Sequence, residues 1–134
     1  MAENSQRGLW ILRILSAILL LAAGGIHLYL AFNRVGGILG VMFILNGIAG
    51  IVLAIAMVVT RGRLLQLTTV LGLLFLIASL LALVLALTVG LFGIHETWDF
   101  TLVPQTVVVE AIGIVVLGIT TALVLRRPAP ATTR

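Results

Sequence analysis

Polar residues gather at three narrow places along this chain and at its two ends, and between them lie four runs that are apolar on every side. The runs cover roughly 9–32, 37–60, 64–92 and 103–125, and the separators are short: 33–36, 61–63 and 95–102. A bilayer core is ~30 Å thick, so about 20 apolar residues in a helix cross it. Backbone in lipid must satisfy its own hydrogen bonds, which makes each run a helix. The polarity does not alternate residue by residue, as the strands of a barrel require. The pattern therefore predicts an all-α integral membrane protein: a four-helix bundle, with a short segment 1–8 before it and a disordered tail 126–134 after it. The third run is longer than one crossing needs, and a late break near Gly90 and Gly93 is expected to end it.

Composition supports lipid as the solvent. Hydrophobic residues make up 62% and charged residues 9%, where a soluble surface calls for roughly 25% charged. There are no cysteines, which excludes disulfides, zinc–thiolate sites and thiol redox chemistry. The formal net charge of +4 comes entirely from arginine, a usage that hints at a GC-rich bacterial genome. These arginines sit at the ends of apolar runs rather than on one folded face, so nucleic acid is not an expected partner. If four helices alternate, Arg7, Arg13, Arg61, Arg63, Arg126, Arg127 and Arg134 share one side, and Arg34 alone lies on the other with Glu96 and Asp99. That bias predicts an up-down-up-down bundle in a bacterial cytoplasmic membrane with both termini cytoplasmic. Arg7 and Arg13 before an apolar run resemble the start of a signal peptide, but the run continues to Phe32 and reads as an uncleaved anchor.

Helices in lipid associate through small residues that let backbones approach. The second run carries Gly36, Gly40, Gly47, Gly50 and Ala54 at near-helical spacing; the third carries Gly72, Ser79, Ala82, Ala86 and Gly90. Ser16, Ala17, Ala23 and Gly24 serve the first, and Thr106, Gly113 and Thr120 the fourth. Packing is the expected role of these stripes.

Two ionisable residues lie inside the apolar runs, where such groups are costly. His27 and Glu110 each fall roughly 10 Å from the same surface at 1.5 Å per residue, on the small-residue faces of their helices. They are expected to pair, and the plainest role for the pair is to fix helix register. Met42, Asn46, His95 and Glu96 come near the same level. A cofactor reading assigns His27, Glu110, His95 and Asn46 to a quinone or haem pocket, with His27 as hydrogen-bond donor or axial ligand. A metal reading assigns His27, Glu110, Met42 and His95 to a transition-metal site, although no His-x-x-x-His or Glu-x-x-His spacing is present. A proton relay or small transporter is the third reading, and it lacks a continuous polar path because the inner half is nearly all aliphatic. No catalytic residue is assignable.

The segment 25–46, the stretch Gly90-Leu91-Phe92-Gly93-Ile94-His95-Glu96, and the opening from Arg13-Ile14-Leu15 through Ala22-Ala23-Gly24-Gly25 to His27 carry a resemblance. They resemble small uncharacterised four-helix membrane proteins of actinobacteria and are loosely similar to DoxX-type proteins, some of which are linked to quinol oxidases or redox partners. The resemblance implies a respiratory or redox setting and carries over no catalytic position. The leading expectation is a non-enzymatic accessory subunit of a larger, respiratory membrane complex, its partners being lipid and other membrane subunits or further copies of itself. The cofactor-, quinone- or metal-binding reading is the alternative.

Overall fold

In the computed structural model, which describes residues 2–127, the chain forms four helices: α1 (Ala2–Asn33), α2 (Gly37–Val59), α3 (Gly62–Thr88) and α4 (Val103–Arg126). All four are long and apolar enough to cross a membrane. Large aliphatic side chains such as Ile18, Val52, Leu74 and Val115 stand exposed on the outside, the distribution expected where the surrounding medium is apolar.

Two boundaries differ from the sequence expectation, and a third refines it. The segment 1–8 is not separate, because α1 is already helical at Ala2. Nothing in Glu3-Asn4-Ser5-Gln6-Arg7 breaks a helix, and Glu3 in the first turn complements the helix dipole. The third apolar run reaches residue 92, but its helix stops at Thr88, at the late break expected near Gly90. Gly90 takes φ +89° and its N–H bonds the Leu85 carbonyl at 2.7 Å, which is how a left-handed glycine closes a helix C-terminus. At the chain's end, α4 continues through Arg126, and Arg127 donates to the Ser5 carbonyl at 3.4 Å. The rest of the expected tail, 128–134, lies outside the described residues.

The helices form a ring in which α1 touches α2 and α4, and α3 touches α4 and α2. The α1–α2 seam is the closest. A Cβ added to Gly50 would stand 3.0 Å from Gly24 Cα, and one added to Gly24 would stand 2.9 Å from the Gly47 carbonyl oxygen. The two backbones touch there, as small residues in lipid allow. The α3–α4 seam uses glycine differently: Leu117 fills the space beside Gly72, and Leu76 fills the space beside Gly113.

Polar side chains inside the ring are tied between helices or to their own backbone. Ser16 and Thr120 hydroxyls meet at 3.1 Å across α1 and α4, and Thr121 donates to the Thr69 carbonyl at 3.2 Å. Arg13 reaches from α1 to the end of α2, where its Nε donates to Met57 O at 2.9 Å and its Nη2 to Thr60 O at 2.8 Å. A cation is well placed there, since a helix C-terminus carries unsatisfied carbonyls and a partial negative charge. Leu20, Met57, Leu76 and Leu117 have no exposed surface, so the middle of the bundle is filled by side chains.

Candidate functional site

The interior is not filled throughout. A cavity of about 310 Å³ lies chiefly between α2 and α3, under the connection from Val89 to Leu102. Its cause is a mismatch of side chains. On α3, Ala78, Ser79, Ala82 and Ala86 leave little volume, while α2 faces them with Leu39, Met42, Phe43 and Asn46. The large residues hold the backbones apart and the small ones do not reach across. The volume falls at the lower end of the range for small-molecule pockets.

The connection forms the roof. Leu91 and Ile94 exchange backbone hydrogen bonds at 2.9 and 2.8 Å, with Phe92 and Gly93 between them at φ +49° and +78°. Two successive positive φ values are the signature of a type I′ turn, and glycine is suited to the second of these positions. The Glu96 N–H then bonds the Ala86 carbonyl at 2.9 Å, which ties the connection back onto α3. Leu91, Ile94, Glu96 and Phe100 thereby line the cavity from above. Partial burial at this mouth pushes the Glu96 carboxyl above its ordinary value, and a backbone hydrogen bond from Thr97 pulls the other way.

The polar groups of the site come from all four helices. Asn46 Nδ2 on α2 donates to Ser79 Oγ on α3 at 3.3 Å, and Ser79 Oγ donates to Glu110 Oε1 on α4 at 2.6 Å. Ser79 has one hydrogen and commits it to Glu110, so Asn46 must present its NH₂ to Ser79. Asn46 Oδ1 and Glu110 Oε2 are then buried with no hydrogen-bond partner. Unpaired buried acceptors are uncommon in native structures, since each costs about 1–3 kcal/mol.

His27 on α1 is buried, with its ring edge-on to Phe43 at a centroid distance of 5.0 Å. Its Nδ1 lies 2.8 Å from the Ala23 carbonyl. A carbonyl only accepts, so Nδ1 carries the proton, and in the neutral ring Nε2 is an acceptor. The expected donor role of His27 toward a ligand therefore does not fit this tautomer.

The expected His27–Glu110 pair does not form: Glu110 is held by Ser79, and His27 by its own helix. His27, Met42 and Asn46 do line one cavity, whereas Glu110 stands behind Ser79 and is not part of the wall. His95 is exposed, with its ring lying against Gly90 outside the cavity. Among the described residues no three of His, Asp or Glu converge to hold a metal ion, so His27, Glu110 and His95 do not form the ligand set of the metal reading. With Nδ1–H fixed on a carbonyl, His27 Nε2 has the free lone pair of a ligating histidine, but it stands as a single nitrogen.

Ser79 is the residue that sequence reasoning missed. Its place in a stripe of small residues suggested packing. With α3 ending at Thr88, Ser79 lies nine residues from that end, level with Asn46 and Glu110. The signal was available in its polarity, since it stands in the middle of α3 between long aliphatic stretches. Comparison of the chain with protein-family models, with curated proteins and with solved structures finds no match.

Proposed function

We propose that this chain is a multi-pass protein of a bacterial cytoplasmic membrane that holds a lipid-soluble ligand with a hydrogen-bond-donating head, of the prenylated hydroquinone or long-chain alcohol class. The observation that carries this reading is an apolar, ligand-sized cavity walled by Asn46, whose Oδ1 has no partner. The polar atoms that face the cavity without a partner are acceptors: Asn46 Oδ1 and Nε2 of a neutral His27. A hydroxyl head supplies the missing donor, and an aliphatic or prenyl body matches Leu39, Phe43, Phe75 and Leu83. A quinone offers only carbonyl acceptors and matches less well. The apolar, ligand-sized cavity is the feature that favours this reading over the accessory-subunit expectation.

The threading we propose is up-down-up-down with both termini cytoplasmic. It is supported by the contact of the start of α1 with the ends of α2 and α4 and by the collection of arginines at that end. The cavity then opens in the opposite leaflet.

Binding of a prenylated hydroquinone and of its oxidised quinone to the protein in nanodiscs tests the reading. We expect the hydroquinone to bind roughly tenfold tighter, the value of one hydrogen bond of about 1.4 kcal/mol, and Asn46→Leu to erase the preference. No binding of either form, or equal binding by the Asn46→Leu variant with the preference intact, overturns it.

A further inference from the structure

At the opposite end of the bundle lies a second opening, a cleft of about 730 Å³ between the start of α1, the end of α2, the start of α3 and the end of α4. Among the described residues Arg13, Arg61, Arg63 and Arg127 line it and no carboxylate does. Four like charges around one recess repel one another and are stabilised when an anion enters. Among the described residues Arg13 is held by the α2 carbonyls; Arg61 and Arg63 are exposed, and Arg127 makes two long contacts to Ser5, at 3.4 and 3.5 Å.

Two further features point to the kind of anion. The N-terminus of α3, between Arg61 and Arg63, has no side-chain cap, so its leading N–H groups and the positive end of its dipole face the same recess. Apart from Gln6 and Gln66, the remaining wall is apolar, with Leu9, Trp10, Val58 and Val124 among its residues. Trp10 also carries the Arg13 guanidinium over its ring at 4.9 Å, a tryptophan–arginine arrangement suited to the level where headgroups meet hydrocarbon. A free phosphate would use the arginines and ignore this wall; a phospholipid uses both.

We propose that this cleft is a binding site for the phosphate of an anionic phospholipid, with Arg61, Arg63 and the α3 N-terminus on the headgroup and the Leu9–Val58–Val124 wall on the first part of an acyl chain. The site is independent of the cavity at the other end and of any ligand held there.

The test places the full chain in nanodiscs of phosphatidylcholine with and without phosphatidylglycerol and measures retained lipid by mass spectrometry after detergent extraction. We expect selective retention of phosphatidylglycerol, weakened roughly fivefold by each of Arg61→Gln and Arg63→Gln. The double variant Arg7→Gln/Arg126→Gln removes the same charge outside the cleft and should retain the lipid normally. A third arm adds inorganic phosphate to the detergent-solubilised protein, and displacement of the lipid only at far higher phosphate concentration is expected. Equal loss in the Arg7/Arg126 and Arg61/Arg63 variants would show a diffuse field and overturn the site. Full competition by phosphate at matched concentration would show that the apolar wall plays no part and overturn the lipid assignment.

Discussion

Helix α2 meets α1 on one side and α3 on the other through interfaces rich in small residues, yet one seam is sealed and the other encloses a cavity. On the α1 side glycine opposes glycine, and the Gly24, Gly47 and Gly50 backbones are in contact. On the α3 side, Ala78, Ser79 and Ala82 oppose Met42, Phe43 and Asn46. Small residues draw two helices together only when both helices carry them at the same height. Where one side is large, the same composition leaves a void, and polar groups placed there lose the partners a close seam would have provided.

The sharpest way to break this contrast is to enlarge one residue in each seam. Gly50→Leu puts a side chain where a Cβ already stands 3.0 Å from Gly24 Cα and from the Leu20 carbonyl oxygen. Neither backbone atom can yield, so α1 and α2 must separate, at a cost of about 3 kcal/mol, the upper part of the overpacking range. Ala82→Leu grows instead into the cavity and is expected to leave stability unchanged or raised while abolishing ligand binding. Denaturant titration in mixed micelles measures both. Equal destabilisation by the two substitutions would show that the α2–α3 seam is as tight as the α1–α2 seam.

The contrast also explains what could be read from the chain directly. Four helices follow from four apolar runs, because in lipid the backbone has no alternative. The clustering of His27, Met42, Asn46 and Glu96 around one recess followed from depth alone, since residues at matched distances from a helix end meet in a bundle of short connections. Partner choice did not follow. His27 and Glu110 were matched by depth and charge type, but rotation about each helix axis decides contact, and that rotation is set by which glycines oppose which. Ser79 was counted among packing residues because serine serves both packing and hydrogen bonding in membrane helices. The basic cleft was hidden because Arg61 and Arg63 read equally well as topology anchors, and only the folded ends bring Arg13, Arg127 and Trp10 around them.

A second test addresses the polar chain that spans the open seam. Ser79→Ala removes the hydroxyl that links Asn46 to Glu110. Glu110 has no exposed surface, so both of its oxygens are then without a partner, and Asn46 Nδ2 loses its acceptor. A loss of about 1–3 kcal/mol is expected. The double variant Ser79→Ala/Glu110→Leu should recover the part that comes from Glu110, because no buried carboxyl is then left unpaired, while Asn46 Nδ2 stays without its acceptor. The double-mutant cycle reads the coupling directly. Additive losses would mean that Ser79 and Glu110 do not act as a pair, and the polar link between α3 and α4 would have to be abandoned.

The smallest expected effect lies at the mouth of the cavity and depends on pH. Burial raises the Glu96 carboxyl above its ordinary value of 4.5 in the folded chain, so the native state holds this proton more tightly than the unfolded state does. Below that ordinary value both states are protonated and the contribution of Glu96 to stability is fully present. As pH climbs from 4.5 through the raised value, the unfolded chain ionises first and draws the equilibrium toward itself, so stability falls with rising pH. Because Glu96 keeps much of its contact with solvent, the loss should be slight and screened by salt. Glu96→Gln removes the ionisation, and a stability profile of this variant that is flatter than wild type between pH 4.5 and 6.5 is expected. The glycine contact of the α1–α2 seam, which does not touch Glu96, gives a control: a Gly50→Ala background should shift the whole profile without altering the difference that Glu96→Gln makes. A Glu96→Gln profile as steep as wild type would place the titrating group elsewhere, and the connection over the cavity would then be a passive roof whose fit does not respond to charge.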